Sequence, residues 1–149
     1  MTRLAPFVIC ALLVGCGGAS SDSDQAAREA AFEKSMTNVV LDGFFTVAGR
    51  VDNAKLRNER YEIKSVTKLA GDLWTITSRI QYGEHDVTAP VPVKILWAGD
   101  TPVITLTDVG IPGLGENFTA RVAFYRDHYS GMWWHGEVGG NMYGVISRD

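Results

Sequence analysis

The chain has 149 residues, of which 46% are hydrophobic, 10% aromatic and 21% charged. This composition is typical of one globular domain and excludes a disordered chain. The formal net charge of −3 argues against nucleic acid as a partner, because phosphate binding needs a basic surface. The sequence contains no run of about 18 apolar residues, which argues against a membrane-spanning helix.

The first 15 residues have the composition of an export signal. Arg3 supplies a positive charge, residues 4–14 are apolar apart from one proline, and small residues surround Cys16. Residues 13–16, Leu-Val-Gly-Cys, resemble the bacterial lipobox, in which the cysteine is acylated and becomes the first mature residue. The resemblance implies a signal peptide over residues 1–15 and lipid attachment at Cys16. The alternative is a plain signal peptide in which this cysteine is incidental.

The cysteine count agrees with a lipid anchor. Cys10 lies inside the predicted signal peptide and Cys16 would carry the lipid, so no thiol remains for a disulfide or a metal. Removing Arg3 leaves 13 basic and 17 acidic residues, a mature net charge of −4. Gly17 after the cysteine resembles lipoproteins of the outer membrane, which implies the cell envelope and the outer rather than the inner membrane. Residues 16–24 are small and polar, and they are predicted to form a flexible tether.

Residues 25–149 are predicted to form a single domain of one helix and eight strands. Residues 25–36 consist mostly of helix formers, with Asp24 placed as the N-cap. From Val39 onward, apolar residues recur at every second position between turn residues, which is typical of β-strands. The predicted strands are Val39–Gly49, Glu59–Leu69, Leu73–Tyr82, Val87–Trp97, Thr101–Asp108, Phe118–Tyr125, Tyr129–Glu137 and Met142–Ser147.

Three glycine-containing dipeptides predict two-residue hairpin turns: Gly71-Asp72, Gly99-Asp100 and Gly139-Gly140. Each turn fixes which residues face each other across a hairpin, and a wrong register would mix the apolar and polar faces. The faces match when Leu69 is opposite Trp74, Ser65 opposite Ser78, Trp97 opposite Pro102, Ile95 opposite Ile104, Trp133 opposite Ile146, and His135 opposite Gly144. The matching predicts an antiparallel meander.

A meander of eight antiparallel strands closes most naturally into an up-and-down β-barrel, and a two-sheet β-sandwich is the alternative. Pro90 and Pro92 lie two residues apart and both lack an N–H, so pairing with one neighbouring strand is expected to be broken there. The barrel would then be flattened or partly open. Alternate turns share an end, which places the long loops Arg50–Asn58 and Gly110–Asn117 together at a predicted mouth. The helix would close the opposite end.

The order of a leader, an N-terminal helix at the closed end and an eight-stranded meander resembles the lipocalin group. Lipocalins usually carry Gly-x-Trp on the first strand, and Gly43-Phe44-Phe45 occupies the similar place here. The resemblance implies carriage or sensing of a small, largely apolar molecule inside the barrel. The alternative is a structural or protein-interaction lipoprotein of the cell envelope with a filled core.

The candidate ligand site consists of polar and aromatic side chains with inward parity. His135 is its centre, because the predicted register leaves space opposite it and places Glu137 beside it as a hydrogen-bond partner. The alternative is a structural histidine whose hydrogen bonds are satisfied by Glu137 or by a neighbouring strand. The complete set of candidate residues is His135, Glu137, Ser65, Ser78, Trp74 and Trp133.

On the opposite parity, several apolar side chains form an outward-facing stripe. This outer stripe is predicted to seat the N-terminal helix; a membrane or a partner protein is the alternative. Its residues are Met132, Trp134, Tyr143 and Val145.

The sequence shows no pattern of catalytic or metal-binding residues. His85 is predicted at the mouth and His128 at the opposite end, so these two cannot share a zinc ion. Neither Gly-x-Ser-x-Gly nor His-Glu-x-x-His occurs, and the glycine-rich stretch at residues 110–115 precedes no helix that could bind phosphate. The chain is therefore predicted not to be an enzyme and to use no metal or cofactor.

The lipobox resemblance leads to the first testable prediction. Cys16→Ser should release the protein from membranes and abolish metabolic labelling with a fatty acid, because the thiol that carries the lipid is gone. Membrane fractionation and labelling measure both effects. A Cys16→Ser protein that stays labelled and membrane-bound would show that the lipoprotein interpretation is wrong.

Overall fold

In the computed structural model, which describes residues 19–49 and 56–148, a helix precedes eight antiparallel strands that close into a barrel in sequence order. The predicted all-β meander with one N-terminal helix is confirmed. The strands form the predicted barrel and not the alternative β-sandwich. The predicted signal peptide, Cys16 and most of the predicted loop at residues 50–58 lie outside the described residues. The elements are α1 (Ala19–Met36), β1 (Val39–Phe45), β2 (Arg57–Ala70), β3 (Leu73–Tyr82), β4 (His85–Ala98), β5 (Thr101–Ile111), β6 (Gly115–Tyr125), β7 (His128–His135) and β8 (Val138–Arg148).

Strand β4 shows why these sequences form a barrel wall. Ala89, Val91, Val93 and Ile95 are buried, and the residues between them are exposed. Successive side chains of a strand point to opposite faces, so this alternation places one apolar face toward the barrel axis. The β-branched side chains of that face suit the extended backbone.

Pro90 and Pro92 of β4 affect the pairing as expected. The strand pairs with β3 from His85 to Lys94, with Pro90 opposite Thr77. Its pairing with β5 covers only Lys94–Ala98, which lies beyond both prolines. The missing N–H groups therefore coincide with an unpaired stretch between β4 and β5, although the barrel as a whole is closed.

The turns define two ends of the barrel. Gly71-Asp72 and Gly99-Asp100 are tight hairpin turns as predicted, and Trp97 lies opposite Pro102. Because alternate turns of a meander share an end, both lie at the end where α1 enters β1; we call this the floor end. The opposite end is the mouth. There the predicted loop Gly110–Asn117 is shorter than expected, because β5 continues to Ile111 and β6 begins at Gly115.

The predicted turn at Gly139-Gly140 is wrong. The β7–β8 turn is at Gly136-Glu137, with a φ of 59° at Gly136, so His135 pairs with Val138 and not with Gly144. The two glycines lie inside β8, where side chains would not fit. A Cβ atom at Gly139 would collide with the Trp134 indole, and one at Gly140 would collide with the Thr46 carbonyl oxygen.

A second correction concerns β2, whose register shifts between Ile63 and Ser65 and again near the turn. The shift places Ser65 opposite Thr77 instead of Ser78. The reason is a β-bulge, in which one extra residue changes the inward parity. Val66 is therefore buried, and Leu69, which was predicted to face inward, is exposed.

Helix α1 closes the floor end. Phe32 is buried, and its ring meets Trp74 edge-on at 5.8 Å and Trp97 at 6.0 Å between centroids. An Arg28 guanidinium N–H donates to the carbonyl oxygen of Gly99 at 2.7 Å, and Lys68 pairs with Glu29. Apolar packing and polar contacts thus fix the helix across the turns of the floor.

The helix begins at Ala19, six residues before the predicted start at Gln25. Asp24 is therefore inside the helix and is not its N-cap, and part of the predicted tether is helical. Residues 19–36 include few helix breakers, so the helix continues toward its N-terminus without the predicted cap. Among the described residues, no helix has both the length and the apolar composition that crossing a membrane requires.

The outer stripe does not seat the helix, contrary to prediction. Met132, Trp134, Tyr143 and Val145 remain exposed on β7 and β8. The helix lies at the floor instead, because Phe32 and its neighbours on the same helix face complete the interior of the barrel. The helix therefore leaves the outer wall of the barrel uncovered at these positions.

The packing at the floor predicts the effect of one substitution. Phe32→Ala should lower the free energy of unfolding by about 3–5 kcal/mol, the usual cost of truncating a buried phenylalanine. Lys34→Ala, on the exposed side of the same helix, serves as the control and should change it by less than about 0.5 kcal/mol. Urea unfolding measures both. Equal stability of the two variants would contradict the closing role of α1.

Candidate functional site

The barrel encloses a cavity of about 660 Å³ that opens at the mouth; we call it the cup. Its volume falls in the range of small-molecule binding sites. Most of its wall is aliphatic or aromatic, formed by Leu41, Phe45, Ile63, Val66, Ile76, Ile80, Val91, Val93, Ile104, Leu106, Val122, Phe124 and Met142.

One buried carboxyl group interrupts this apolar wall. Glu59 of β2 lines the cup and is only 4% exposed. Its two carboxylate oxygens accept hydrogen bonds from two different tyrosine hydroxyls. Tyr129 donates to Oε1 at 2.8 Å and Tyr61 donates to Oε2 at 3.1 Å. A buried acid that is held by two neutral donors is a polar site inside an apolar cavity.

Tyr129 reaches Glu59 from the far side of two strands. In the sheet register, Tyr129 lies opposite Gly144, Gly144 opposite Gly43, and Gly43 opposite Glu59. A Cβ atom at Gly144 would lie 2.7 Å from the Tyr129 ring, and one at Gly43 would collide with the Tyr129 hydroxyl. Glycine at both positions therefore allows the tyrosine to lie along the wall and reach the carboxylate.

The electrostatics of this group follow from its burial. Burial raises the pKa of Glu59 above its ordinary value of 4.5, and the bonds from Tyr129 and Tyr61 offset part of that effect. Burial, with a further contribution from the Glu59 carboxylate, raises the pKa of both tyrosines. Burial also raises the pKa of Tyr82, which lies on β3 opposite Glu59 in the sheet register. The tyrosines therefore stay protonated at neutral pH, and Tyr61 and Tyr129 act as hydrogen-bond donors.

Aromatic pairs line the mouth. The His135 ring stacks on Phe118 with 4.2 Å between centroids, and His85 lies against Tyr82 at 4.8 Å. Arg57 contributes a cation, with its guanidinium carbon 6.0 Å from the Phe45 ring. The mouth thus combines flat aromatic surfaces with a positive charge, and Glu59 lies further inside.

Three of the predicted site residues line the cup. Trp133 forms part of its wall and meets Phe45 edge-on at 5.6 Å. Ser78 is buried in the wall, and its hydroxyl lies within hydrogen-bond distance of the Glu62 and Arg79 carbonyl oxygens. His135 lines the cup, but it is an exposed residue at the mouth, because the true turn places it at the end of β7.

The other three predicted site residues lie elsewhere. Trp74 is almost completely buried beneath the cup, where it packs against Phe32. Ser65 loses its inward parity at the β-bulge of β2. Glu137 is an exposed turn residue that lines a shallow groove of about 430 Å³ beside Trp134, and it forms no part of the cup. The predicted partnership of His135 with Glu137 inside the barrel is therefore wrong.

Glu59 was not among the predicted site residues, although the strand pattern indicates its position. It has the same parity as Tyr61 and Ile63, and an acidic residue that shares a face with the apolar residues of a strand is expected to be a buried polar group. Its partner Tyr129 is 70 residues away, so no local pattern connects the two.

Comparisons with protein-family models, with curated proteins and with solved structures give no match. Within the described part of the chain, no three His, Cys, Asp or Glu side chains are grouped so that they could hold a metal ion. The buried polar groups of the cup include the Glu59 carboxyl group and the hydroxyls that bind it, and Arg57, His85 and His135 lie at the mouth.

The raised pKa of Glu59 predicts how stability changes with pH. Below about pH 4.5 this carboxyl group is protonated in both the folded and the unfolded chain, so folding buries no charge and the free energy of unfolding is not lowered. As the pH rises through 4.5 toward the folded pKa, the unfolded chain loses the proton first, and the folded state is destabilised by about 1.4 kcal/mol per unit of pKa elevation.

Glu59→Gln tests this linkage. Relative to the wild type, the variant should gain stability between pH 4 and pH 8, because an uncharged amide removes the cost of burying the charge while keeping hydrogen-bonding capacity. Chemical unfolding at both pH values measures the difference. Glu137→Gln is the matched control and should show no such gain. A stability difference between wild type and Glu59→Gln that is the same at both pH values would contradict the raised pKa.

Proposed function

We propose that this protein binds a small, largely apolar molecule in the cup, and that it does so as a lipid-anchored protein of the cell envelope. The observation that carries the binding proposal is the cavity of about 660 Å³ with an apolar wall and one buried carboxyl group. A structural lipoprotein with a filled core would have no need for such a cavity. Binding of this kind requires no catalytic group.

The location is proposed from the sequence. The lipobox resemblance at residues 13–16 supports acylation of Cys16, and Gly17 supports the outer rather than the inner membrane. A lipid anchor would keep the barrel at the membrane surface without a spanning segment. The protein would then carry or sense its ligand at that surface.

Filling the cup should abolish binding. Ala120 lines the cup from β6, and Ala120→Phe places a ring inside it. Ala123→Phe is the matched control, because Ala123 lies on the same strand with the opposite parity. The probe is the neutral fluorophore N-phenyl-1-naphthylamine, titrated into the full chain carrying Cys16→Ser, which avoids acylation and therefore detergent. Ala120→Phe should weaken probe binding at least tenfold, and Ala123→Phe should leave it within about twofold.

Native mass spectrometry of the same protein adds a second measurement, because a molecule that co-purifies from the producing cell would appear as a mass increment. The proposal fails if wild type binds no probe and carries no increment. It also fails if both phenylalanine variants bind the probe as wild type does, because the probe would then sit outside the cup.

A further inference from the structure

We propose that the cup selects molecules with a basic nitrogen: an apolar body for the wall and a protonated amine for Glu59. This inference rests on the proposed binding function and names the class of ligand. It starts from the position of Glu59, a carboxyl group that lines the cavity and yet is 4% exposed. The cost of burying a carboxylate is high unless charges or donors compensate it.

The protein itself supplies only part of that compensation. The two tyrosine hydroxyls occupy one acceptor position on each oxygen, at 2.8 and 3.1 Å. A carboxylate offers about four acceptor positions in all, so each oxygen retains capacity for another donor. An ammonium group carries up to three N–H donors and fits this remaining capacity.

No cation of the described chain neutralises Glu59. Among the residues that the structure describes, the ion pairs join Lys and Arg side chains to other carboxylates, and none joins one to Glu59; the carboxylates are those of Asp42, Glu62, Glu29, Asp86, Asp72 and Asp127. Arg57 has the inward parity of Glu59 on β2, but its guanidinium lies over the Phe45 ring at the mouth. The groups that hydrogen-bond to Glu59 are the hydroxyls of Tyr61 on the same strand and Tyr129 on β7, which are neutral donors.

The surroundings favour a cation over an anion at this position. The Tyr129–Glu59 hydrogen bond fixes the carboxylate, so an incoming amine would find its partner already oriented. An anionic head group would meet like charge in an apolar environment, where repulsion is poorly screened. A neutral alcohol would gain one hydrogen bond but no charge pairing. The expected order of affinity is therefore amine, alcohol, carboxylate.

A series of ligands with eight carbon atoms each tests this order. Octylamine, octan-1-ol and octanoate have the same number of carbon atoms and carry different head groups, and isothermal titration at pH 7 into the full chain carrying Cys16→Ser gives their affinities. Wild type should bind octylamine at least tenfold more tightly than octan-1-ol. Octanoate should bind most weakly. Glu59→Gln should weaken octylamine binding at least tenfold and leave octan-1-ol within about threefold.

Glu137→Gln is the matched control. It removes the same charge near the mouth, but its side chain is outside the cup, so the preference for octylamine should persist. Circular dichroism and a thermal melt establish that Glu59→Gln is folded. If this variant does not fold, the wild-type order of the three ligands still decides the question, together with Tyr129→Phe, which should reduce the preference for the amine because it releases the carboxylate.

The outcomes distinguish a failure of the proposed amine preference from a failure of the proposed binding function. If octan-1-ol or octanoate binds as tightly as octylamine, or if Glu59→Gln keeps the amine preference, the cup binds ligands but the inference is wrong. If none of the three binds and N-phenyl-1-naphthylamine also fails to bind, the proposed function itself is wrong. Tight binding of octan-1-ol alone would indicate that Glu59 acts as a protonated donor, which also overturns the inference.

Discussion

The hydrogen bond between Tyr129 and Glu59 is the interaction on which the character of the interior depends. It connects β7 to β2 across β8 and β1, the two strands whose pairing closes the barrel. A side chain at Gly43 or Gly144 would collide with the Tyr129 side chain, so the ring could not keep its position. The carboxylate would then keep only the longer bond from Tyr61, and its burial would become more costly. The glycines of the two closing strands thus permit the hydrogen bond that reduces the cost of burying this carboxylate.

The distribution of side-chain sizes explains why the interior is hollow. An eight-stranded barrel is just wide enough for its own side chains to fill. Here the largest side chains gather at the two ends, with Trp74 and Phe32 at the floor and Trp133 and Phe118 toward the mouth. Between them the wall consists mostly of valine and isoleucine, which do not reach the axis. Tyr129 lies along the wall, where two glycines leave room for its ring.

The architecture could be predicted from the sequence because its signals are local. Alternating apolar residues define the strands, and Gly71-Asp72 and Gly99-Asp100 define two turns. Gly136-Glu137 and Gly139-Gly140 are both acceptable turn sequences, so local pattern cannot choose between them. Contacts with Thr46 and with the Trp134 ring decide the choice, and these depend on how the strands are arranged in space. Because the wrong turn was chosen, His135 was predicted in the middle of the site, whereas it lies at the mouth.

The candidate site could be predicted only in part, for a related reason. Periodicity tells which way a side chain points, and it identified Ser78 and Trp133 in the wall of the cup. It cannot tell what the side chain meets. The β-bulge of β2 removed Ser65 from the inward face, and the partner of Glu59 came from a strand far along the chain. The glycines that permit this contact gain meaning only when the register of the closing strands is known.

Glu59 is an acidic residue on the inward face of β2, where Tyr61 and Ile63 follow it with the same parity. An apolar residue at that position would continue the alternation and would carry no cost of burying a charge, so the fold alone does not require an acid there. Positions at which a chain breaks its own local rule, at a cost to stability, are often those that serve function. The tyrosine bonds reduce that cost without removing the charge or occupying every acceptor position. The carboxylate is therefore better explained by the ligand proposed for the cup than by the folding of the barrel.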